Sequence, residues 1–263
     1  MSTLIYGIPH WYLGCLISGL AVAVTLGAYT VFRRFVVVEF SADDRSLAMS
    51  VLGVVATINS LLLAFSAVSV WESFGAAEAA VVHEGNSIGQ LARDLAVFDS
   101  AESRQAREVV RHYAQLVAAK EWADMQIGRT NVETWLAADA IFRAVGALEP
   151  DTLKRQALLP EIWARTNEMV AHRRDRLYAS EAEVPGTLWV VVLTGSILTV
   201  LTTFVLPRSP INIAMMVTLS FSLGLVFFFI IAMDRPFTGQ ESLSPLPFRT
   251  ALDNMRRWDE TPH

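Results

Sequence analysis

The chain has 263 residues, 26 acidic against 21 Lys and Arg side chains, a net charge of -5 and one cysteine, and its 53% hydrophobic content gives a mean hydropathy of +0.39. The acidic balance argues against a nucleic-acid partner, and a lone cysteine excludes a disulfide framework or a thiolate zinc site within one copy. The mild average mixes two populations: four stretches without any charged residue, 11–32, 47–70, 184–207 and 209–233, and a segment 71–183 that holds 18 acidic and 13 basic residues.

Each charge-free stretch is long enough to cross a hydrocarbon core about 30 Å thick as a helix, and backbone groups in lipid are satisfied only in helices or closed barrels. The reading is therefore an all-α integral membrane protein with four transmembrane helices and a helical extramembrane domain between the second and third. Residues 1–10 carry no Lys or Arg, and the first apolar stretch is too long for a signal peptide and lacks a small-residue cleavage site, so it is expected to stay as a transmembrane helix. The expected divisions are 1–70 for the first two spans with a short loop 33–46, 71–184 for the helical domain, 185–233 for the last two spans, and 234–263 for a structured tail. Aromatic side chains stand where interfacial rings belong: Trp11, Tyr12, Phe32, Phe35, Trp71, Phe74, Trp189 and Phe237.

Nothing breaks the second span at its end. Apolar residues at three- and four-residue spacing run on through Val81, Ile88, Leu91, Leu95 and Phe98, which predicts one long helix. A second helix carries Val109, Val110, Tyr113, Leu116 and Val117 up to Trp122. A third starts at Asn131 as N-cap with Trp135, Phe142 and Val145 on one face, and a last one takes Pro160 as its start.

In the first span Cys15, Gly19, Ala23 and Gly27 recur every fourth residue, a strip of small side chains that permits close helix packing, within the chain or between copies. In the second, Val54, Ile58 and Leu62 stack on one face beside Asn59. Periodicity alone reads that face as lipid or bundle contact and Asn59 as an interhelical hydrogen-bonding group. Glu108 with His112, and Glu168 with His172, stand one turn apart, but no third ligand joins either pair, so no metal is expected. His83-Glu84 reads as a solvated face and the run Arg173-Arg174-Asp175-Arg176 as a basic cluster beside the membrane. No phosphate loop, nucleophile elbow or apolar carboxylate pair is present, so neither an enzyme nor a cofactor is expected.

Two stretches carry a family likeness. Leu62-Leu63-Ala64-Phe65, then Val70-Trp71-Glu72-Ser73-Phe74, Asn86-Ser87-Ile88 and Leu91-Ala92-Arg93, form one. The other is Asp234-Arg235-Pro236-Phe237-Thr238-Gly239-Gln240-Glu241 after the last span, where Asp234 and Arg235 are placed to pair. The chain resembles bestrophins, and more closely the bacterial bestrophin-like family. That resemblance implies a homo-oligomer, a pentamer, forming an anion-selective or, in some bacterial members, cation-selective channel lined by the second span. It makes Val54, Ile58 and Leu62, with Asn59, the hydrophobic neck, makes Trp71, Glu72 and Phe74 the exit motif of that span, and makes Asp234, Arg235, Pro236, Phe237, Gly239 and Glu241 the loop motif. Val70 replaces the expected arginine, and the acidic calcium clasp is reduced to Glu241, so calcium activation is not expected. The implied partners are the lipid bilayer, further copies of the chain and permeant ions, with no nucleic acid.

A membrane-anchored sensor or interaction module that never conducts is the alternative. An even number of crossings places both termini and the helical domain on one side. Arg33, Arg34, Arg45 and Arg208, in the short loops opposite, would make those loops cytosolic by the positive-inside rule. The resemblance instead puts the helical domain of an inner-membrane protein in the cytosol, and that side is the expectation carried forward.

Overall fold

The structure, a computed structural model, describes residues 10–36, 40–239 and 242–260. Every regular element among them is helical: α1 (His10–Phe35), α2 (Ala42–Phe98), α3 (Ala101–Leu116), a π-helical turn (Val117–Glu121), α4 (Trp122–Gln126), α5 (Val132–Gly146), α6 (Leu153–Glu181), α7 (Gly186–Thr202), a 3-10 turn (Thr203–Val205), α8 (Pro210–Met233) and α9 (Leu246–Glu260). Among the described residues four helical stretches are long and apolar enough to cross a membrane: Trp11–Phe35, within Ala42–Phe98, within Leu153–Val205, and Pro210–Met233. The loop expected at 33–46 is shorter, because α1 continues to Phe35 and α2 begins at Ala42, where Ser41 and Asp44 bond to each other across the first turn.

The chain divides into two compact units, Met1–Ser73 with Glu183–Arg235, and Phe74–Ala182 with Pro236–His263. In the first unit α1 lies along α8. Gly14 faces the Phe228 ring, Gly224 meets the Ser18 backbone, the Ser220 hydroxyl donates to Thr25 Oγ1 at 2.8 Å, and Tyr29 packs with Phe204 and Met216. The packing face of α1 is thus Gly14, Ser18, Thr25 and Tyr29. Packing within the chain, one expectation for the strip Cys15, Gly19, Ala23 and Gly27, is corrected: all four are exposed, and a Cβ added at Gly19 or Gly27 would meet nothing within 4 Å. The four-residue repeat turns that strip away from the packing face of α1, to a side that none of the described residues comes near.

Contact at Gly224 is closer than any side chain allows, since an added Cβ would lie 2.5 Å from Ser18 Cα. Backbone cannot swing aside like a flexible side chain, so Gly224→Ala forces α1 off α8. A loss of about 1–3 kcal/mol is expected, as for an overpacked core. It reads as an earlier loss of the monodisperse detergent-solubilised peak on heating, and an unshifted peak would show that α1 does not seat there.

The second unit is built on the core face of α2, where Ile88, Leu91, Leu95 and Phe98 pack with Val110, Tyr113, Val117, Ile141, Ile162, Met169, Phe248 and Met255. Local signals set the element starts. Ser100 and Ser103 form a reciprocal capping box at α3, and Asn131 accepts from the Thr134 N–H at 3.0 Å to open α5. Two expectations are corrected here. Trp135 is exposed, because the inner face of α5 is Thr134, Ala137, Ala138, Ile141 and Val145. Pro160 lies inside α6, because Thr152 accepts from the Arg155 N–H at 3.2 Å and starts the helix upstream.

Candidate functional site

Along the membrane part of α2 one face has no partner among the described residues. Leu47, Val51, Val54, Ile58, Leu61, Phe65 and Val68 alternate four and three residues apart, and each is between 43% and 66% exposed. A 3.6-residue helix keeps positions so spaced on one line. The adjacent line, Ser46, Ser50, Gly53, Thr57, Ser60 and Ala64, is exposed as well and carries nothing larger than threonine. Three of its four hydroxyls bond inside the helix: Ser50 donates to the Ser46 carbonyl at 3.0 Å, Thr57 to Gly53 at 2.7 Å and Ser60 to Thr57 at 2.9 Å.

Val54 and Ile58 fall on this apolar line, whereas Leu62 is half-buried against the Leu63, Val70, Val192 and Ile230 cluster. Steps of four residues drift by about 40° each, so two of them turn Leu62 toward the bundle, and the line passes through Leu61 and Phe65 instead. Asn59 faces inward. At 2% exposed it donates to Ser196 Oγ on α7 at 3.2 Å, in the space left by Gly195. Of the exit motif, Trp71 and Glu72 are exposed and Phe74 is half-buried.

The described residues of the loop after α8 are held by several contacts. Asp234 Oδ1 accepts from the Val184 N–H at 2.8 Å, and its burial pushes its pKa above the usual carboxylate value. Arg235 reaches Glu183, so the motif is tied to the residues preceding α7, and the Arg235 charge partly offsets the effect of burial on Asp234. In the second unit Pro236 accepts from the Leu243 N–H at 2.8 Å, Gly239 takes a φ of 87°, and Phe237 is buried edge-on against Trp122 at 5.5 Å. Glu241 lies outside the described residues.

The second unit also buries a charge network that the sequence reading misplaced. Arg176, fully buried, bonds through Nε to Glu84 Oε2 and through Nη2 to Glu121 Oε2, each at 2.6 Å, and Arg173 reaches Glu121 Oε1 at 2.6 Å. Tyr113 donates to Glu84 Oε1 at 2.6 Å. Burial alone would lower the Arg176 pKa; Glu84 and Glu121 outweigh it and hold it above the ordinary guanidinium value. Burial likewise pushes the Tyr113 phenol well up.

Glu84 is therefore no solvated residue, and only Arg174 and Asp175 of the expected basic cluster face water. The signal was present in the spacing: Ile162, Thr166, Met169, Arg173 and Arg176 continue one core line on α6. The π-helical turn places Glu121 opposite them.

The two Glu–His pairs resolve into other contacts. Glu108 bonds Arg111, Glu168 bonds Arg165, and the His172 ring stacks on His83 at 5.2 Å. Among the described residues no group of three His, Cys, Asp or Glu is placed to hold a metal ion.

Comparison with known proteins follows the same outline. A bestrophin-like domain is matched over residues 19–248. A variant of a bacterial bestrophin homolog from Klebsiella pneumoniae superposes with a TM-score of 0.68 at 11% identity, covering 95% of this chain and 99% of that one. A second solved structure, described as a membrane protein, gives 0.64 at 13% identity over 96% of this chain and 98% of its own. At these identities the likeness is one of fold. No curated protein matches the chain.

Proposed function

The chain belongs to the bestrophin-like family, and from that premise we propose that it forms a homo-oligomeric ion channel, of five copies, in which α2 lines the axis. Its cargo is an anion or a monovalent cation. Val54 and Ile58 make the apolar rings of a hydrophobic neck, Leu62 borders them beside Leu61, and Asn59 braces the helix from behind through Ser196.

The observation that carries this reading is the pair of exposed lines on α2. Lipid does not distinguish a row of branched apolar side chains from a row of Ser, Gly, Thr and Ala, but a helix beside a neighbouring copy does. Small residues admit the neighbouring backbone while the apolar row turns to the common axis. The free strip on α1, Cys15 to Gly27, is a second such contact surface. The Trp71-Glu72-Phe74 exit and the Asp234 to Gly239 loop end the membrane-spanning segments. The bilayer is the cell's inner membrane, with the second unit and both termini in the cytosol.

Apolar rings around a narrow axis resist hydration and gate by dewetting. The double change Val54→Ala, Ile58→Ala, reconstituted in liposomes, is expected to raise ion flux at least about tenfold, the change given by a barrier lowered by about 1.4 kcal/mol. The oligomer should stay intact on light scattering. A lipid-facing row leaves flux at zero in both proteins, and that result would favour the non-conducting interaction module.

A further inference from the structure

We infer that the conducted ion is a cation and that Glu72 sets that choice. The inference rests on the proposed pore lined by α2.

A four-residue step beyond each end of the apolar line of α2 reaches Asp43 before Leu47 and Glu72 after Val68, and both are exposed. Leu47 to Val68 spans about 32 Å at 1.5 Å per residue, close to the roughly 30 Å hydrocarbon core. The two carboxylates therefore mark the two water boundaries of the line. No basic residue lies on it. The one basic residue of α2 within the first unit, Arg45, is two positions from Asp43, half-buried and off the line.

The two acids differ in what else explains them. Asp43 occupies the first turn of α2, where any carboxylate complements the helix dipole, and Arg33, Arg34 and Arg208 belong to the same end of the bundle. Glu72 lies deep inside a 57-residue helix, far from both termini. It is exposed and has no hydrogen-bond or ion-pair partner among the described residues. Its end of the first unit carries three carboxylates: Glu183 pairs with Arg235, Asp234 is held by the Val184 N–H and lies within the field of Arg235, and Glu72 has neither.

Symmetry turns a single Glu72 into a ring of carboxylates at the mouth of the apolar constriction. Screening confines its field to about 8 Å at physiological salt, so it acts on ions at the mouth and little beyond. There it raises the local cation concentration and repels anions, as acidic rings do in cation channels. An anion path needs donors, and beside the line the hydroxyls of Ser50, Thr57 and Ser60 are already given to their own backbone.

The test is the reversal potential in phosphatidylcholine vesicles, whose neutral surface adds no field of its own, under a KCl gradient. The wild type and the Val54→Ala, Ile58→Ala variant should reverse toward the potassium potential. Glu72→Gln, isosteric and exposed, should cut the cation-to-anion permeability ratio about fivefold or more, and Glu72→Lys should invert it. Asp43→Asn should change it less than twofold. Current that reverses at the chloride potential, or a ratio indifferent to Glu72→Gln and Glu72→Lys, overturns this inference and leaves the channel standing. No current with either ion in the widened variant overturns the channel and the inference together.

Discussion

Replacing Arg176 with methionine is expected to lower stability by about 3–5 kcal/mol, the cost of removing one partner from a buried ionic set. The guanidinium is enclosed by Glu84, Glu121, the Met125 sulfur and the Phe248 ring, and it is the group that joins the two carboxylates. Methionine matches much of its volume, so the loss measures charge and not a cavity. Glu121 keeps Arg173, but Glu84 keeps only the Tyr113 hydroxyl. For a chain of this size the melting temperature followed by circular dichroism in detergent should fall by roughly 6–20 °C. Adding Glu84→Gln should recover part of that fall, because the uncompensated charge is then gone. Equal melting of the single variant and the wild type would mean that water reaches the network and screens it.

Much of the fold was legible in the sequence because the bilayer imposes a coarse rule. Stretches of about 20 residues without charge have few alternatives to a spanning helix, and the unbroken run from Leu47 to Phe98 forecast the long α2 that the structure contains. The Asn131 cap was legible for a local reason, a side chain bonding three residues ahead. Side-chain placement was less so. Arg173 and Arg176 read as a basic cluster when judged by charge, although their spacing placed them on the core line of α6. Reading charge before period hid the network.

Leu62 shows the opposite error. A four-residue step looks like one face over a single turn, but the drift per step accumulates, and by the third position the side chain has joined the bundle core. The strip from Cys15 to Gly27 was visible, yet no single-chain pattern states which partner it meets. Gly14, Ser18 and Thr25 compete for the role of packing face, and only the structure shows that α8 chose them.

The loop after α8 supplies the second large effect. Phe237→Ala should cost about 3–5 kcal/mol, the usual range for deleting a buried aromatic side chain. At 2% exposed, Phe237 lies edge-on to Trp122, whose own ring also meets Phe248 at 5.9 Å, so one deletion loosens a cluster of three rings. The backbone around it has little means of collapsing into the gap. The Leu243 N–H is held by the Pro236 carbonyl, the Leu243 carbonyl accepts from Trp122 Nε1 at 3.1 Å, and Gly239 occupies a positive φ that other residues rarely adopt. A fixed loop around an empty site retains the full cavity cost, whereas a yielding one would recover some of it. Melting should therefore fall by an amount comparable with Arg176→Met, and protease should cut the tail between Phe237 and α9 sooner than in the wild type. If melting and cleavage both stay at wild-type values, Phe237 does not anchor the tail and the order of this loop must come from Pro236 and the backbone bonds alone.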